Sequence, residues 1–130
     1  MRFRSARALC AAVLCGVLLQ ACEAGPHLGA ATKVVVAEIG NDDPSDSAAE
    51  CVSFKLSDSQ ARAFLNRASI VTSYEIHDSF NWFPCYVRGT AEFRGLPATW
   101  EIRAGGTGTV TILSEFIYLL GDPNQRDEQE

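Results

Sequence analysis

The sequence predicts an α+β fold in which an antiparallel β-sheet meander of about five to seven strands carries one helix on one face. Three observations lead to this prediction. Runs rich in β-branched and aromatic residues follow one another closely, short polar or glycine-rich segments separate them, and a single segment has helical periodicity. Strands joined by turns of about two to five residues pair as antiparallel neighbours.

The first elements are predicted in the N-terminal half of the domain. Residues 32–39, TKVVVAEI, are β-branched and apolar and predict the first strand. Residues 51–56, CVSFKL, alternate apolar and polar side chains, which predicts a second strand. In residues 57–69, Ser57 and Gln60 have the spacing of a capping box and apolar residues recur at helical spacing. This last segment is the helix of the predicted fold.

Five further strand-like runs complete the predicted sheet. The segments HDSFNWFP, RGLP, GGTG and SE separate them, and these segments are short enough for hairpin or loop connections. The glycine-rich segment is expected to be a hairpin turn. The runs are IVTSYEI (70–76), CYVRGTAEF (85–93), ATWEIRA (98–104), TVTIL (109–113) and FIYLL (116–120).

The N-terminal residues have the features of an export signal. Residues 1–7, MRFRSAR, carry three arginines and no acid. Twelve uncharged and mostly apolar residues follow at 8–19, fewer than the roughly 20 that a membrane-spanning helix needs. A basic region followed by a short apolar region is typical of a secretory signal peptide.

A cysteine follows this apolar run directly. Leu19, Gln20, Ala21 and Cys22 resemble the lipobox of bacterial lipoproteins. The resemblance implies cleavage before Cys22, a diacylglycerol thioether on its sulfur, and an amine acylated with palmitate or a similar chain. Glu23, which stands where an aspartate would favour the inner membrane, implies an outer-membrane anchor facing the periplasm. The alternative is ordinary signal cleavage that leaves Cys22 as a free thiol.

The mature chain is expected to hold one domain between a tether and a tail. After the signal peptide at 1–21, residues 22–31 form a lipidated tether of small residues that extends over at most about 30 Å. Residues 32–120 form a single globular domain, because the 109 mature residues can build one core but not two. Residues 121–130 form an acidic disordered tail.

The mature chain is acidic, but the excess charge lies outside the body of the domain. Eight basic and sixteen acidic residues remain after signal removal, a formal charge of −8. Four acids lie at 41–50 and four at 121–130, whereas residues 51–120 hold six acids and six bases. Nucleic acid is excluded as a partner, because phosphate recognition needs clustered Lys and Arg. A cationic protein partner is left open.

Two cysteines remain for the mature fold. Cys10 and Cys15 leave with the signal and Cys22 is assigned to the lipid, so Cys51 and Cys85 are left. In an oxidising compartment we expect them to form a disulfide; the alternative is two buried reduced thiols. Neither has a histidine or a further cysteine at zinc-ligand spacing. No metal site and no cofactor are predicted.

The sequence contains no set of residues with recognisable catalytic spacing. His77, Asp78 and Ser79 are adjacent, but neighbours on a strand point to opposite faces and would not form a base and its orienting partner. His77 is therefore expected at the surface. The glycines at 104–110 precede a strand, whereas a phosphate-binding loop precedes a helix, and the acids at 41–50 lack EF-hand spacing. The chain is predicted not to be an enzyme.

One stretch is a candidate contact site for a protein partner. SFNWFPCYV places Phe80, Trp82, Phe83 and Tyr86 together between two predicted strands. Loop tips often carry function, and exposed Trp and Tyr dominate binding hot spots. The alternative is that these aromatic side chains fold back and close the end of the core. Trp100, which alternates with charged residues on its strand, is expected in the core.

These observations predict a lipid-anchored periplasmic protein-binding module of the bacterial cell envelope. The class that fits best is an inhibitor or immunity-type protein against an enzyme that attacks the envelope, such as a peptidoglycan hydrolase, lysozyme or lipase. One alternative is a structural or assembly lipoprotein of an envelope or secretion machine. A second alternative is a small periplasmic hydrolase.

Overall fold

A computed structural model describes residues 25–126. The predicted signal peptide at 1–21, the predicted lipidation site Cys22 and residues 127–130 lie outside the described residues. The lipobox therefore remains a prediction based on the sequence alone.

The fold is built on one six-stranded antiparallel sheet in the order β1-β3-β4-β5-β6-β2. The meander from β3 to β6 pairs each strand with the next. At one edge β1 pairs with β3, and at the other the short β2 pairs with the end of β6. The predicted α+β class with a meandering sheet is confirmed. The strands are β1 (Ala31–Asn41), β2 (Ser69–Ile70), β3 (Cys85–Phe93), β4 (Leu96–Arg103), β5 (Thr107–Ile112) and β6 (Phe116–Gly121).

The predicted helix is present and begins where its capping residues place it. It is the second helix, α2 (Asp58–Arg67). The N–H of Gln60 donates to Ser57 Oγ at 3.1 Å, and the N–H of Ser57 donates to Gln60 Oε1 at 2.9 Å. This reciprocal pair satisfies two amide groups that a helix start would otherwise leave unbonded. The described residues contain two further helices, α1 (Ala49–Val52) and α3 (Ser73–Ser79), and a 3₁₀ turn at Pro123–Gln125.

The core lies between α2 and one face of the sheet. Ala61, Phe64 and Leu65 of α2 are buried, and the ring of Phe64 packs above Gly108 of β5. Trp100 of β4 is also buried, as expected, and its indole N–H donates to the carbonyl of Thr90 at 2.8 Å. Alternate residues of the central strands complete the core: Val87, Ala91, Phe93, Ala98, Ile102, Val110, Ile112 and Leu120.

The predicted strand at residues 51–56 is wrong. Cys51 and Val52 end helix α1, and irregular chain follows as far as α2. Phe54 and Leu56 pack half-buried against the core, whereas Val52 is 80% exposed. The apolar alternation thus comes from two side chains of an irregular segment that reach the core, and no partner strand is involved.

The predicted strand at residues 70–76 is also mostly wrong. Strand β2 ends at Ile70, and helix α3 begins after Thr72. The N–H of Thr72 donates to Glu75 Oε2 at 2.7 Å, and the N–H of Glu75 donates to Thr72 Oγ1 at 3.1 Å. This is a second capping box. The β-branched residues 70–72 favour a strand, but the spacing of Thr72 and Glu75 favours a helix start.

The predicted tether is in contact with the domain from Gly25 onward. The N–H of Ile70 donates to the carbonyl of Pro26 at 2.7 Å, and the ring of His27 hydrogen-bonds through Nδ1 to the carbonyl of Ala68 at 2.9 Å. Leu28 packs against the core. Residues 25–30 therefore belong to the folded domain and do not act as a free linker.

The predicted disordered tail is likewise folded over residues 121–126. Gly121 ends β6, and Asp122, which is 1% exposed, begins the 3₁₀ turn. The Asp122 carboxylate accepts hydrogen bonds from Arg67 Nε at 3.0 Å and from Gln125 Nε2 at 3.0 Å. Asp122, which was predicted to lie in the disordered tail, is therefore buried and connects α2 to the end of the sheet.

Side chains of α2 protect the β1 edge of the sheet. The register between β1 and β3 shifts twice, and backbone groups at such bulges are available to other partners. The N–H of Ala31 donates to Asn66 Oδ1, and the N–H of Val36 donates to Asp58 Oδ1, both at 2.8 Å. These contacts and the bulges make this edge a poor template for a further strand.

The predicted disulfide between Cys51 and Cys85 is present. It joins the end of α1 to the first residue of β3, with the two Cα atoms 5.5 Å apart. The bond fastens the acidic segment before α1 to the end of the sheet where β3 starts. The alternative, two buried reduced thiols, is therefore wrong.

Candidate binding surface

The four aromatic residues predicted as a contact site differ in their exposure. Phe80 is buried because its ring lies over Gly121, and Tyr86 is buried because its ring lies over Gly40. Phe83 is half-buried. Trp82, by contrast, is 62% exposed. The alternative that the aromatic side chains close the end of the fold is therefore correct for Phe80 and Tyr86, and Trp82 is the residue available to a partner.

Arg103 of β4 ties the Trp82 loop to the sheet. Its Nη1 group donates to the carbonyls of Phe83 at 3.3 Å and Pro84 at 3.1 Å. Its Nη2 group donates to Asp42 Oδ2 at 2.8 Å. The guanidinium carbon lies 5.3 Å from the centre of the Trp82 ring, within the range of a cation–π contact. One arginine thus holds the loop backbone, a carboxylate of the acidic segment and the exposed indole together.

The face of the sheet opposite α2, called the open face below, begins next to this loop. Side chains on a strand alternate between faces, so Tyr86 and Arg88 of β3 lie on the open face with their cross-strand partners Arg103 and Glu101. The Arg88 guanidinium stacks 3.9 Å from the centre of the Tyr86 ring and donates to Glu101 Oε2 at 2.7 Å. The hydrogen bond to Glu101 raises the pKa of the Arg88 guanidinium. The ion pair of Arg88 and Glu101 therefore covers the ring of Tyr86.

A row of threonines crosses the middle of the open face. Thr90 of β3 pairs with Thr99 of β4, and Thr99 pairs with Thr111 of β5. Two shallow depressions of about 380 and 460 Å³ share these three residues. The threonine side chains thus present hydroxyl and methyl groups in a regular array on the open face. The Arg88–Glu101 pair lies at one end of this array and Pro97 at the other.

The other candidate sites do not assemble a reactive group among residues 25–126. His77 and Asp78 are exposed in α3, where consecutive side chains point about 100° apart. In the acidic segment, Asp43 accepts a hydrogen bond from the Ser45 N–H and Asp46 accepts one from the Ala48 N–H, so each closes a local turn. No group of three potential metal ligands occurs in the described chain. The glycine-rich residues 104–106 form the predicted hairpin turn between β4 and β5.

Comparison with known proteins gives no family assignment. No family model matches the chain, and searches of curated proteins and of solved structures give no significant match. Within residues 25–126, no helix has the length and hydrophobicity needed to cross a membrane.

Proposed function

We propose that this protein is a lipid-anchored protein-binding module of the bacterial cell envelope and that it binds through Trp82 and the adjoining open face. The observation that carries the proposal is an exposed tryptophan whose position is fixed from behind by Arg103. Trp, Tyr and Arg are the residues most enriched in binding hot spots.

The contacts of Arg103 beneath Trp82 favour binding, because they limit the conformational entropy that the loop loses on association. Asp42 and the carbonyls of Phe83 and Pro84 hold Arg103, and the Asp42 N–H donates to the Pro84 carbonyl at 3.0 Å. A side chain that is already positioned loses less conformational freedom on association. Such a loop is suited to fill a pocket on a partner with the indole.

The charges around Trp82 favour a basic partner. Asp43, Asp46 and Glu50 are exposed in the segment that Asp42 and the Cys51 disulfide fix beside the loop. Carboxylates at the rim of an interface mainly increase the association rate with a cationic protein, and this effect weakens with salt. An enzyme that acts on the anionic cell envelope is such a partner, and this supports the inhibitor or immunity-type class.

We expect Trp82→Ala to weaken partner binding by at least about 2 kcal/mol, or about 30-fold in Kd. The reason is that truncation removes the exposed anchor but leaves its support intact. The measurement is capture of envelope proteins by the mature chain from Glu23 onward, followed by titration of the captured protein. Tyr74→Ala is the matched control, because Tyr74 is also an exposed aromatic residue (73%) but lies in α3.

Two outcomes would contradict this site assignment. If Trp82→Ala and Tyr74→Ala bind the captured protein as the unchanged chain does, the contact surface lies elsewhere. If Trp82→Ala lowers the free energy of unfolding by several kcal/mol, the indole supports the fold rather than a partner. If the captured protein is a subunit of an envelope machine, the surface is retained but the role is that of an assembly lipoprotein.

The lipid anchor has its own test. We expect Cys22→Ser to abolish incorporation of labelled palmitate and to release the protein from membranes, because Cys22 is the proposed acceptor of the anchoring chains. Metabolic labelling followed by membrane fractionation measures both. Glu23→Gln is the control, since it retains the acceptor cysteine and should remain labelled. An unlabelled wild-type protein would refute the anchor.

A further inference from the structure

We propose that the β6 edge of the sheet lies against the lipid bilayer, with Ile117 and Phe116 in contact with the interfacial region. This inference depends on the proposed lipid anchor at Cys22. It adds an orientation: the domain does not move freely on a long tether but rests on the membrane by one edge.

Only a short stretch of chain joins the proposed anchor to the folded domain. Pro26 and His27 are hydrogen-bonded to Ile70 and Ala68 beside β2, so the folded domain begins at Gly25. Three peptide steps separate Cys22 from Gly25, and they extend over at most about 11 Å. The β2 edge must therefore stay close to the bilayer surface that holds the acylated cysteine.

The edge of the sheet that continues from β2 exposes apolar side chains. β2 pairs with Leu120 and Gly121, and the N–H of Val71 donates to the carbonyl of Leu119 at 2.9 Å. The first half of β6 continues along the same edge beyond them. There Ile117 is 68% exposed and Phe116 is 49% exposed. A mostly apolar groove of about 430 Å³ lies between this strand, the N-terminal segment and the β3–β4 turn. Leu28, Ile70 and Phe116 line it, together with Arg94 and His27. Phe116 thus joins this strand to the segment that leads to the anchor, and Ile117 lies on the opposite face of the same edge strand.

The two edges of the sheet differ in how their backbone groups are covered. Strand β1 is four strand spacings, or about 19 Å, from β6, and its irregular backbone is bonded to Asn66 and Asp58 of α2. Strand β1 also exposes apolar side chains, Val35 and Ile39, so the two edges differ in their backbone. Among the described strands, none pairs with the outer side of β6 at its start. Water and headgroups in the interfacial region can bond such an edge, whereas the hydrocarbon core cannot. The exposed carboxylate of Glu115 also indicates a shallow contact.

A fluorescence experiment with brominated lipids tests this orientation. The acylated mature protein is reconstituted in phosphatidylcholine vesicles that carry bromine near the headgroup end of the acyl chains. Tryptophan is introduced by Ile117→Trp in a Trp82→Phe background, in which the buried Trp100 supplies the baseline. The matched control is Val52→Trp, because Val52 is exposed in α1 beside the β1 edge. We expect brominated lipid to quench the Ile117→Trp protein and to leave the Val52→Trp protein at its baseline.

The outcomes separate this inference from the proposed anchor. A protein that carries no acyl chain by mass measurement refutes the anchor itself. An acylated protein in which Ile117→Trp is not quenched, or is quenched no more than Val52→Trp, overturns the orientation alone. An Ile117→Trp signal that is shielded from acrylamide in water but not quenched by brominated lipid also overturns it, because the edge is then covered by protein. Circular dichroism of each variant confirms that the fold is retained.

Discussion

Replacing Cys51 and Cys85 together by alanine should lower the free energy of unfolding by about 4 kcal/mol. The bond closes a loop with a sequence separation of 34 residues. Closing such a loop restricts the unfolded chain far more than the folded one. Small domains are stable by only about 5–15 kcal/mol, so the variant should be close to the limit of stable folding.

Equilibrium unfolding in urea measures this effect. The oxidised protein, the same protein with reductant, and the double alanine variant are compared at neutral pH. We expect the reduced protein and the variant to unfold at similar, lower urea concentrations, because both lack the cross-link. Coincident unfolding of the oxidised protein and the variant would show that the disulfide does not stabilise the domain.

The meander could be predicted from the sequence because its signals are local. Strand β3 (Cys85–Phe93) has the predicted bounds, and the ends of strands β4 to β6 lie within two residues of their predicted positions. The turns between them use Gly95 and Gly106 at positive φ, a backbone conformation in which glycine carries little strain. The alternation of apolar and polar residues and the glycines of the turns therefore predicted the same strands.

The segments before the meander were less predictable because their structure depends on distant contacts. Residues 51–56 alternate like a strand, yet Cys51 and Val52 end helix α1. The Cys51 disulfide and the docking of Phe54 and Leu56 hold residues 53–56 as an irregular chain. For helix α3 a local indication was present. Thr72 and Glu75 have the same capping spacing as Ser57 and Gln60, but the β-branched residues 70–72 favoured a strand.

The exposure of the aromatic loop could not be deduced from the loop itself. Phe80 is buried because Gly121 leaves room for its ring, and Tyr86 is buried because Gly40 does the same. Both glycines are far from the loop in sequence. The role of Arg103 is equally remote, since it reaches the loop from β4. Pairings across the sheet, rather than local composition, therefore determine that Trp82 is the exposed member.

Replacing Asp122 by alanine should lower the free energy of unfolding by about 3 kcal/mol at neutral pH. The carboxylate is 1% exposed and forms an ion pair with Arg67 Nη2 at 2.9 Å. It also accepts hydrogen bonds from the Asn124 N–H and from Gln125 Nε2, both at 3.0 Å. Alanine leaves these donors without their acceptor, although water can reach the half-exposed Arg67 and limits the loss. Urea unfolding measures the change, and Glu115→Ala in an exposed turn is the control.

The same carboxylate should make stability dependent on pH in acid. Burial by itself raises the pKa of Asp122, but hydrogen bonds from Asn124, Gln125 and Arg67 outweigh it and lower the pKa below its ordinary value. Such a group stabilises the fold above the unfolded pKa of about 3.9, and the contribution is lost as the pH falls through the folded pKa. The difference in unfolding free energy between the wild type and Asp122→Asn should therefore be constant from about pH 5 to 8 and shrink below about pH 4. A difference that stays constant throughout the acid range would show that the negative charge of Asp122 does not contribute to the stability of the fold.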